Sequence, residues 1–214
     1  PQVSTASTTA TPDVDSSRVV TGDTRKRLDL LQDCRELVVS RLSRVIGEAL
    51  AKMSEELSEL ALGARESSEQ AALLDAVSVV RQHGAEIELR FRRSFTEVFE
   101  RRMRDEKAPV APEIATPGEL ALVDDSVMQA KIAVDRLVGR ARGQLDPEEV
   151  LGVRARLAAL LEREWFEEER HPASPEAIFE ALKSALAELA PRPEVQAALL
   201  DAFEPHVSAN LNKV

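Results

Sequence analysis

TRKRLDLLQDCRELVVSRLSRVIGEALAKMSEELSELALG, residues 24–63, is the stretch that decides the fold. Its apolar residues recur at three- and four-residue intervals, close to a heptad repeat, which places them in one stripe along an α-helix. The stripe is formed by Leu28, Leu31, Cys34, Val38, Leu42, Val45, Ala49, Met53, Leu57 and Leu60. Gly63 is a typical residue at the end of such a helix. We therefore predict one amphipathic helix of about 35 residues, roughly 50 Å long.

Residues 67–104 carry a second apolar stripe of the same kind. It consists of Leu73, Leu74, Val77, Val80, Ile87, Phe91, Phe95, Val98 and Phe99. Because the connection between the two stripes is short, we expect an antiparallel helical hairpin in which the stripes face each other. The heptad-like seams could equally pair between two chains as a coiled coil, which would give a homo-oligomer. Gly84 either permits a close helix crossing or weakens the helix by about 1 kcal/mol relative to Ala.

Prolines separate this hairpin from the rest of the chain. Residues 105–117 contain three of them and cannot continue a helix, so we expect an extended connector. The three are Pro109, Pro112 and Pro117. The connector divides the chain into a hairpin domain, residues 24–104, and a second domain, residues 118–214.

The second domain repeats a clear signal for the start of a helix. Asp146 and Ser174 are each followed by a proline and then an acidic residue, the order expected for an N-cap and the first turn. The helix after Asp146 is expected to bury a face formed by Val150, Val153, Leu157, Leu160 and Leu161. Pro191 and Pro193 interrupt the chain again before a last apolar pattern. Together with an amphipathic segment at 119–142, these signals predict a small bundle of about four helices.

Composition favours an all-α fold and a cytoplasmic location. No Tyr, one Trp, six Phe and eight Gly leave few aromatics for strands and few glycines for tight sheet turns. The formal net charge of −10 favours solubility and repels nucleic acid. Cys34 is the single cysteine, so no internal disulfide can form and a reducing cytosol is expected. No apolar run approaches the roughly 20 residues that span a bilayer, so we expect no membrane partner.

The start of the chain indicates a fragment. Residues 1–23 are rich in Ser, Thr and Pro and have almost nothing apolar to bury, so we expect a disordered leader. They lack the basic and apolar regions of a secretory signal. Pro1 stands where an intact protein would begin with Met, so we interpret the chain as an excised piece of a longer protein.

A search for catalytic motifs is mostly negative. The sequence has no glycine-rich phosphate motif and no G-x-S-x-G nucleophile elbow, so we predict no catalytic residues and no cofactor. Glu168 and His171 have a spacing that can place a carboxylate and an imidazole on one helical face. A di-iron bundle, however, needs two such pairs and two further glutamates. We therefore predict no metal site.

One basic cluster, FRRSFTEVFERRMR at residues 91–104, stands out in this acidic chain. Arginines at a helix end can contact phosphates or an acidic protein partner, or they can pair with the surplus acids of the same chain. The lack of Tyr and of spare aromatics argues against base stacking, so nucleic acid is the least favoured of these partners. The candidate partner-binding residues are Arg92, Arg93, Arg101, Arg102 and Arg104.

Three groups of residues, in this order along the chain, resemble one bacterial family. The first group is Leu120, Leu122, Val123, Asp124, Asp125, Met128, Ile132, Asp135, Leu137, Val138, Arg140 and Ala141. The second is His171-Pro172 with Ser174-Pro175 and Ile178, and the third is Phe203-Glu204 with His206-Val207 and Leu211. Together they resemble the family called domain of unknown function 1631.

The resemblance covers roughly the second half of the chain. It departs from the family pattern at Met128-Gln129, where members usually have a Leu-Glu pair. Members are generally several times longer and continue as helices past the third group. The resemblance therefore implies that Val214 is an artificial end, and it implies no activity.

Two classes of function follow from these observations. The leading hypothesis is a non-enzymatic helical scaffold or regulatory protein-interaction module, in which the long hairpin presents a surface to a protein partner. The alternative is a ligand-binding or enzymatic bundle with a pocket near Trp165, Glu204 and His206. A histidine between two apolar residues of a helix is typical of core packing, but it could also act as an acid or base.

Overall fold

A computed structural model of the chain describes residues 22–104 and 125–211, with side chains at 25–104, 131–167 and 169–211. These residues form six α-helices and one short 3₁₀ turn, and they contain no β-strand. The elements are α1 (Gly22–Gly63), α2 (Ser67–Met103), α3 (Asp125–Arg142), α4 (Pro147–Leu160), the 3₁₀ turn (Glu168–Arg170), α5 (Pro175–Leu186) and α6 (Pro193–Ser208). The all-α prediction is confirmed, with two long helices followed by shorter ones.

The two long helices pack against each other along the predicted stripes. The seam is closed within the chain, because its central side chains are at most 1% exposed. They are Leu42, Ile46, Met53 and Leu57 of α1, and Ile87, Phe91 and Phe95 of α2. The central seam is thus covered within one chain, whereas Leu28 and Leu60 near the ends of α1 are 58% and 57% exposed.

The hairpin turn lies where the sequence predicts it. Helix α1 ends at Gly63, and Gln70 of α2 reaches back to donate a hydrogen bond to the carbonyl of Ala61 at 3.1 Å. That bond satisfies one of the last carbonyls of α1, which have no partner within their own helix. At Gly84 a Cβ atom would meet nothing within 4 Å. The glycine therefore does not serve a close helix crossing.

The shorter helices begin at the predicted caps. The Asp146 side chain accepts a hydrogen bond from the amide of Glu148 at 2.9 Å, and that of Ser174 accepts one from the amide of Ala177 at 3.3 Å. Helices α5 and α6 pack directly on the hairpin, and α3 packs on α5 and α6. Their fully buried residues, such as Phe179 of α5, join the hairpin in one hydrophobic core. The described parts of the two predicted domains therefore share a core.

Helix α4 differs from its prediction. The sequence predicts a buried face that includes Val150, Val153 and Leu157, but Val153 is 42% exposed and only Leu157 of these three is buried. Leu157 packs in a small separate cluster with Leu31 and Phe166. The reason is that α4 packs closely on none of the other described helices, and its buried residues meet only the start of α1 and, through Met103, the end of α2.

Several predictions lie outside the described residues. They concern the leader up to residue 21, the connector at 105–117 and the start of the second domain at 118–124. Among the helices that are described, none is both long enough and apolar enough to cross a membrane.

Candidate functional site

The arginine-rich end of α2 is partly used inside the molecule. The side chains of Arg101 and Arg102 are 17% and 14% exposed, and both form ion pairs with Glu180 of α5. Arg102 Nη2 lies 3.0 Å from Glu180 Oε2, and its Nη1 donates to Ser174 Oγ at 3.0 Å. These two candidate partner residues therefore fix α5 to α2.

The other arginines of this cluster lie on the surface. Arg93 pairs with Glu97 one turn away at 3.0 Å, and Arg104 pairs with Glu100 at 3.4 Å. Arg92 is exposed, and its guanidinium has no ion pair among the residues that the structure describes. Arg92, Arg93 and Arg104 remain the accessible part of the predicted partner surface.

The three residues of the predicted pocket do not lie together. Trp165 is 54% exposed, lies under the guanidinium of Arg154 and neighbours Phe166, which packs on Leu31 near the start of α1. His206 instead contacts Glu56, roughly 37 Å further along α1 at 1.5 Å per residue. Trp165 is thus separated from the other two residues by most of the hairpin.

Glu204 and His206 connect α6 to two different helices. His206 Nε2 donates a hydrogen bond to Glu56 Oε2 of α1 at 2.8 Å. Glu204 is buried, accepts a hydrogen bond from Ser208 Oγ at 2.7 Å and forms an ion pair with Arg140 of α3 at 3.4 Å. Both side chains are satisfied by neighbours, so the contacts they make are structural ones.

A groove of about 1070 Å³ lies between the hairpin turn and α6. Apolar side chains from all three surrounding helices line it, and Leu60 is exposed there although it belongs to the predicted stripe of α1. Ala72, Leu73 and Ala202 are buried beneath the surface. The lining also includes Ala64, Ala197, Ala198 and Pro205. The groove therefore has an apolar base formed where α6 packs on the hairpin.

Acidic side chains surround this base, and we call the whole feature the acidic groove. Among the residues that the structure describes, they are Glu56, Glu59, Glu66, Glu69, Glu194 and Asp201, and Arg65 is the one cation in the lining. Glu56 and Asp201 have partners in His206 and Arg140. The other four acids have no side-chain partner among the described residues and are exposed, so they lie at the rim. The groove thus combines an apolar base with uncompensated negative charge.

A smaller cavity of about 180 Å³ lies between α1, α4 and the start of α5, and we call it the His171 cavity. Most of its walls are apolar and include Val38, Val150, Ile178 and Leu211. Its polar side chains are Glu149, His171 and Ser174.

His171 is 7% exposed. Among the described residues, one of its ring nitrogens has a hydrogen-bond partner and the other has none. Nδ1 accepts a hydrogen bond from the amide of Ala173 at 3.1 Å, whereas Nε2 is buried without a partner among the described residues. Burial, together with the nearby Arg154 and Arg102 guanidinium groups, lowers the pKa of His171 to about 4. The imidazole is therefore neutral at physiological pH, and its proton is on Nε2, because Nδ1 is the acceptor.

The sequence contains a signal for the acidic groove, although it matches no known motif. Four of the six acids lie within fourteen residues around Gly63, in the segment EELSELALGARESSE. The other two become neighbours of these only when α6 packs on the hairpin. For the His171 cavity, the one sequence signal is the position of His171, which follows a short helical turn and directly precedes Pro172.

Within the part of the chain that is described, no group of three or more His, Cys, Asp or Glu side chains could hold a metal ion. Cys34 is a free thiol and is partly buried.

Comparison with known proteins gives one family. The family model described as "Protein of unknown function (DUF1631) N-terminal domain" matches residues 27–214. The match includes both helices of the hairpin as well as the second half of the chain. No match was found among curated proteins or among solved structures.

Proposed function

The chain belongs to the DUF1631 family, as its N-terminal domain, and we propose that it is a non-enzymatic helical scaffold that docks a basic amphipathic helix of a partner protein. The docking site is the acidic groove. One observation carries the proposal: at the hairpin turn, an apolar base is bordered by four carboxylates that have no side-chain partner among the described residues, and a hydrogen bond from Gln70 to the Ala61 carbonyl links the two helices there.

The apolar base fits one side of an amphipathic helix. Such a helix binds a groove through apolar residues spaced three and four positions apart. Leu60 is 57% exposed at this site. A partner that covered this side chain would remove apolar surface from water, which favours binding. The groove volume of about 1070 Å³ is large enough for several side chains of a partner, rather than for one.

The negative charge of the rim favours a partner with positive charge. Glu59, Glu66, Glu69 and Glu194 are exposed and unpaired among the described residues, so a Lys- or Arg-bearing helix would complement them. The chain's own segment at 105–124 carries five acids and one lysine, so the groove would repel it. A separate basic partner is therefore favoured over this segment.

Arg92 and Arg93 offer a second surface of opposite charge on the same hairpin. We keep them as the proposed contact for an acidic protein partner, since Arg92 is exposed without an ion pair among the described residues. This surface lies towards the other end of α2 from the turn, so the two contacts could be made at once.

A binding titration tests the proposal. A fluorescent Leu/Lys peptide that forms an amphipathic helix should bind the chain, and added salt should weaken the binding. The double variant Glu66→Lys, Glu69→Lys should weaken it by about tenfold or more, because two favourable charge contacts become repulsive. Leu60→Ser should also weaken it, because it removes the exposed apolar contact.

The matched control is Asp29→Lys, Asp33→Lys at the far end of α1. Both aspartates are exposed and unpaired among the described residues, so this variant makes the same change in net charge far from the groove. It should leave the affinity within about twofold, apart from a small long-range effect. Equal losses in the two double variants would mean that only net charge matters and would refute the docking site. A peptide of the same composition without an amphipathic order should bind weakly.

A further inference from the structure

We propose that the acidic groove receives helix α2 of a second copy of this chain, through the outer face that carries Arg92 and Arg93. This inference rests on the proposed docking function and names the partner. It also joins the two surfaces of opposite charge in one contact. The groove of one copy is the acidic partner of the two arginines, and α2 of the next copy is the basic helix that the groove receives.

The outer face of α2 has the pattern of a helix that docks in a groove, and we call it the arginine surface. Leu89 is followed by Arg92 and Arg93 after three and four positions, so the three side chains share one side of the helix. Leu89 is 68% exposed, and the side chain of Arg93 is 83% exposed. Leu89 therefore offers an apolar contact to the base of the groove, next to the exposed Leu60, while the arginines offer positive charge to the rim.

The charges of the two surfaces complement each other. The four acids at the rim of the groove have no side-chain partner among the described residues, and Arg92 has no ion pair among them. Arg93 is paired with Glu97 at 3.0 Å. Exposed pairs of this kind contribute little stability, so Arg93 can exchange Glu97 for a carboxylate of the rim.

The groove and the arginine surface of one copy cannot meet each other. Glu69 and Arg92 lie roughly 35 Å apart along α2 at 1.5 Å per residue, far beyond the reach of an ion pair. The contact must therefore join two copies. Because it uses two different patches, each contact leaves one groove and one arginine surface open, and further copies can add head to tail.

Sedimentation of the chain over a range of concentrations tests the inference. Wild type should form dimers and larger species as its concentration rises, and added salt should reverse this association. Arg92→Glu, Arg93→Glu should raise the concentration needed for association by about tenfold or more, because two attractive contacts with the rim become repulsive. A wild-type chain that stays monomeric at every concentration would overturn the inference.

The matched control is Arg25→Glu, Lys26→Glu near the start of α1. Both positions are exposed, so this variant makes the same change in net charge away from both surfaces. It should associate within about twofold of wild type, apart from a small long-range effect. Equal losses in this variant and in Arg92→Glu, Arg93→Glu would mean that only net charge matters, which refutes the contact.

A combined variant shows whether the two surfaces touch. Glu66→Lys, Glu69→Lys should also weaken association, and adding Arg92→Glu, Arg93→Glu to it exchanges the charges of the two surfaces and restores the net charge of the chain. The chain with all four substitutions should associate more strongly than either double variant, because lysines at the rim then face glutamates on α2. Two losses that simply multiply would contradict a direct contact.

Peptide binding separates this inference from the docking function on which it rests. Arg92→Glu, Arg93→Glu keeps the groove intact, so it should bind the Leu/Lys peptide within about twofold of wild type. If the peptide binds but the wild-type chain stays monomeric, the second copy is refuted and the docking site stands. If the chain associates through both surfaces but the peptide does not bind, the second copy stands and a general site for basic helices is refuted.

Discussion

Arg102 illustrates how one residue connects three parts of this protein. Its guanidinium lies between Glu180, Ser174 and the carbonyl of His171, so it joins α2 to α5 and to the loop that begins the His171 cavity. The arginine-rich helix end is evident from the sequence. Whether its charges contact a partner or other residues of the same chain is not. That choice depends on where Glu180 lies after folding, and no local pattern contains this information.

Replacing Arg102 tests its structural role. Arg102→Ala should lower the free energy of unfolding by about 2 kcal/mol, because the side chain is largely buried and leaves several acceptors unsatisfied. Arg92→Ala, at an exposed position ten residues earlier, should change it by less than about 0.5 kcal/mol. Chemical denaturation of both variants measures the difference. Equal effects would mean that the buried contacts of Arg102 contribute nothing.

His171 should make stability depend on pH. The unfolded histidine titrates near 6.5, whereas the pKa of the folded one is about 4, so its contribution is complete above pH 6.5 and declines as pH falls towards 4. The unfolded chain binds more protons in this window, and the loss amounts to about 3 kcal/mol at its lower end. His171→Asn should remove this contribution. The free energy of unfolding of wild type should therefore fall by about 3 kcal/mol relative to that of the variant between pH 6.5 and 4, and a difference that stays constant with pH would contradict the buried neutral imidazole.

At the scale of elements, the helix boundaries followed closely from the sequence. The apolar period and Gly63 placed the hairpin turn, and Asp146 and Ser174 with their prolines placed the starts of α4 and α5. These signals depend only on residues close together in the sequence, so they can be recognised without knowledge of the tertiary packing. The buried face of α4 was not predicted correctly, because its orientation depends on which helix it meets. The acidic groove was missed for the same reason, since it forms only where α6 packs on the hairpin.

Gly84 provides an element-scale prediction with a matched control. A Cβ at this position in the middle of α2 meets nothing within 4 Å, so Gly84→Ala should raise the free energy of unfolding by about 0.5–1 kcal/mol. Gly47→Ala, in the middle of α1, should gain less, because its Cβ would lie 3.2 Å from Glu88 Oε2. Thermal unfolding of the two variants measures the order. A smaller gain at Gly84 than at Gly47 would contradict the open environment described here.

At the scale of the whole molecule, the described halves of the chain form one body around a shared core. Phe91 and Phe95 of the hairpin and Phe179 and Phe203 of α5 and α6 belong to the same buried cluster. The composition gives the net charge of the chain. Only the folded structure shows that several of the acidic side chains lie around one groove. We propose that this groove, and not the arginine surface, receives a basic helix.

Amide chemical-shift mapping of the labelled chain with the Leu/Lys peptide shows which of the two surfaces binds the helix. The largest shifts should fall at residues 56–73 and 194–205, which line the acidic groove, and Glu66→Lys, Glu69→Lys should need about tenfold or more peptide to reach the same shifts. Shifts centred on Arg92 and Arg93, or shifts spread over the surface without a saturable site, would contradict it.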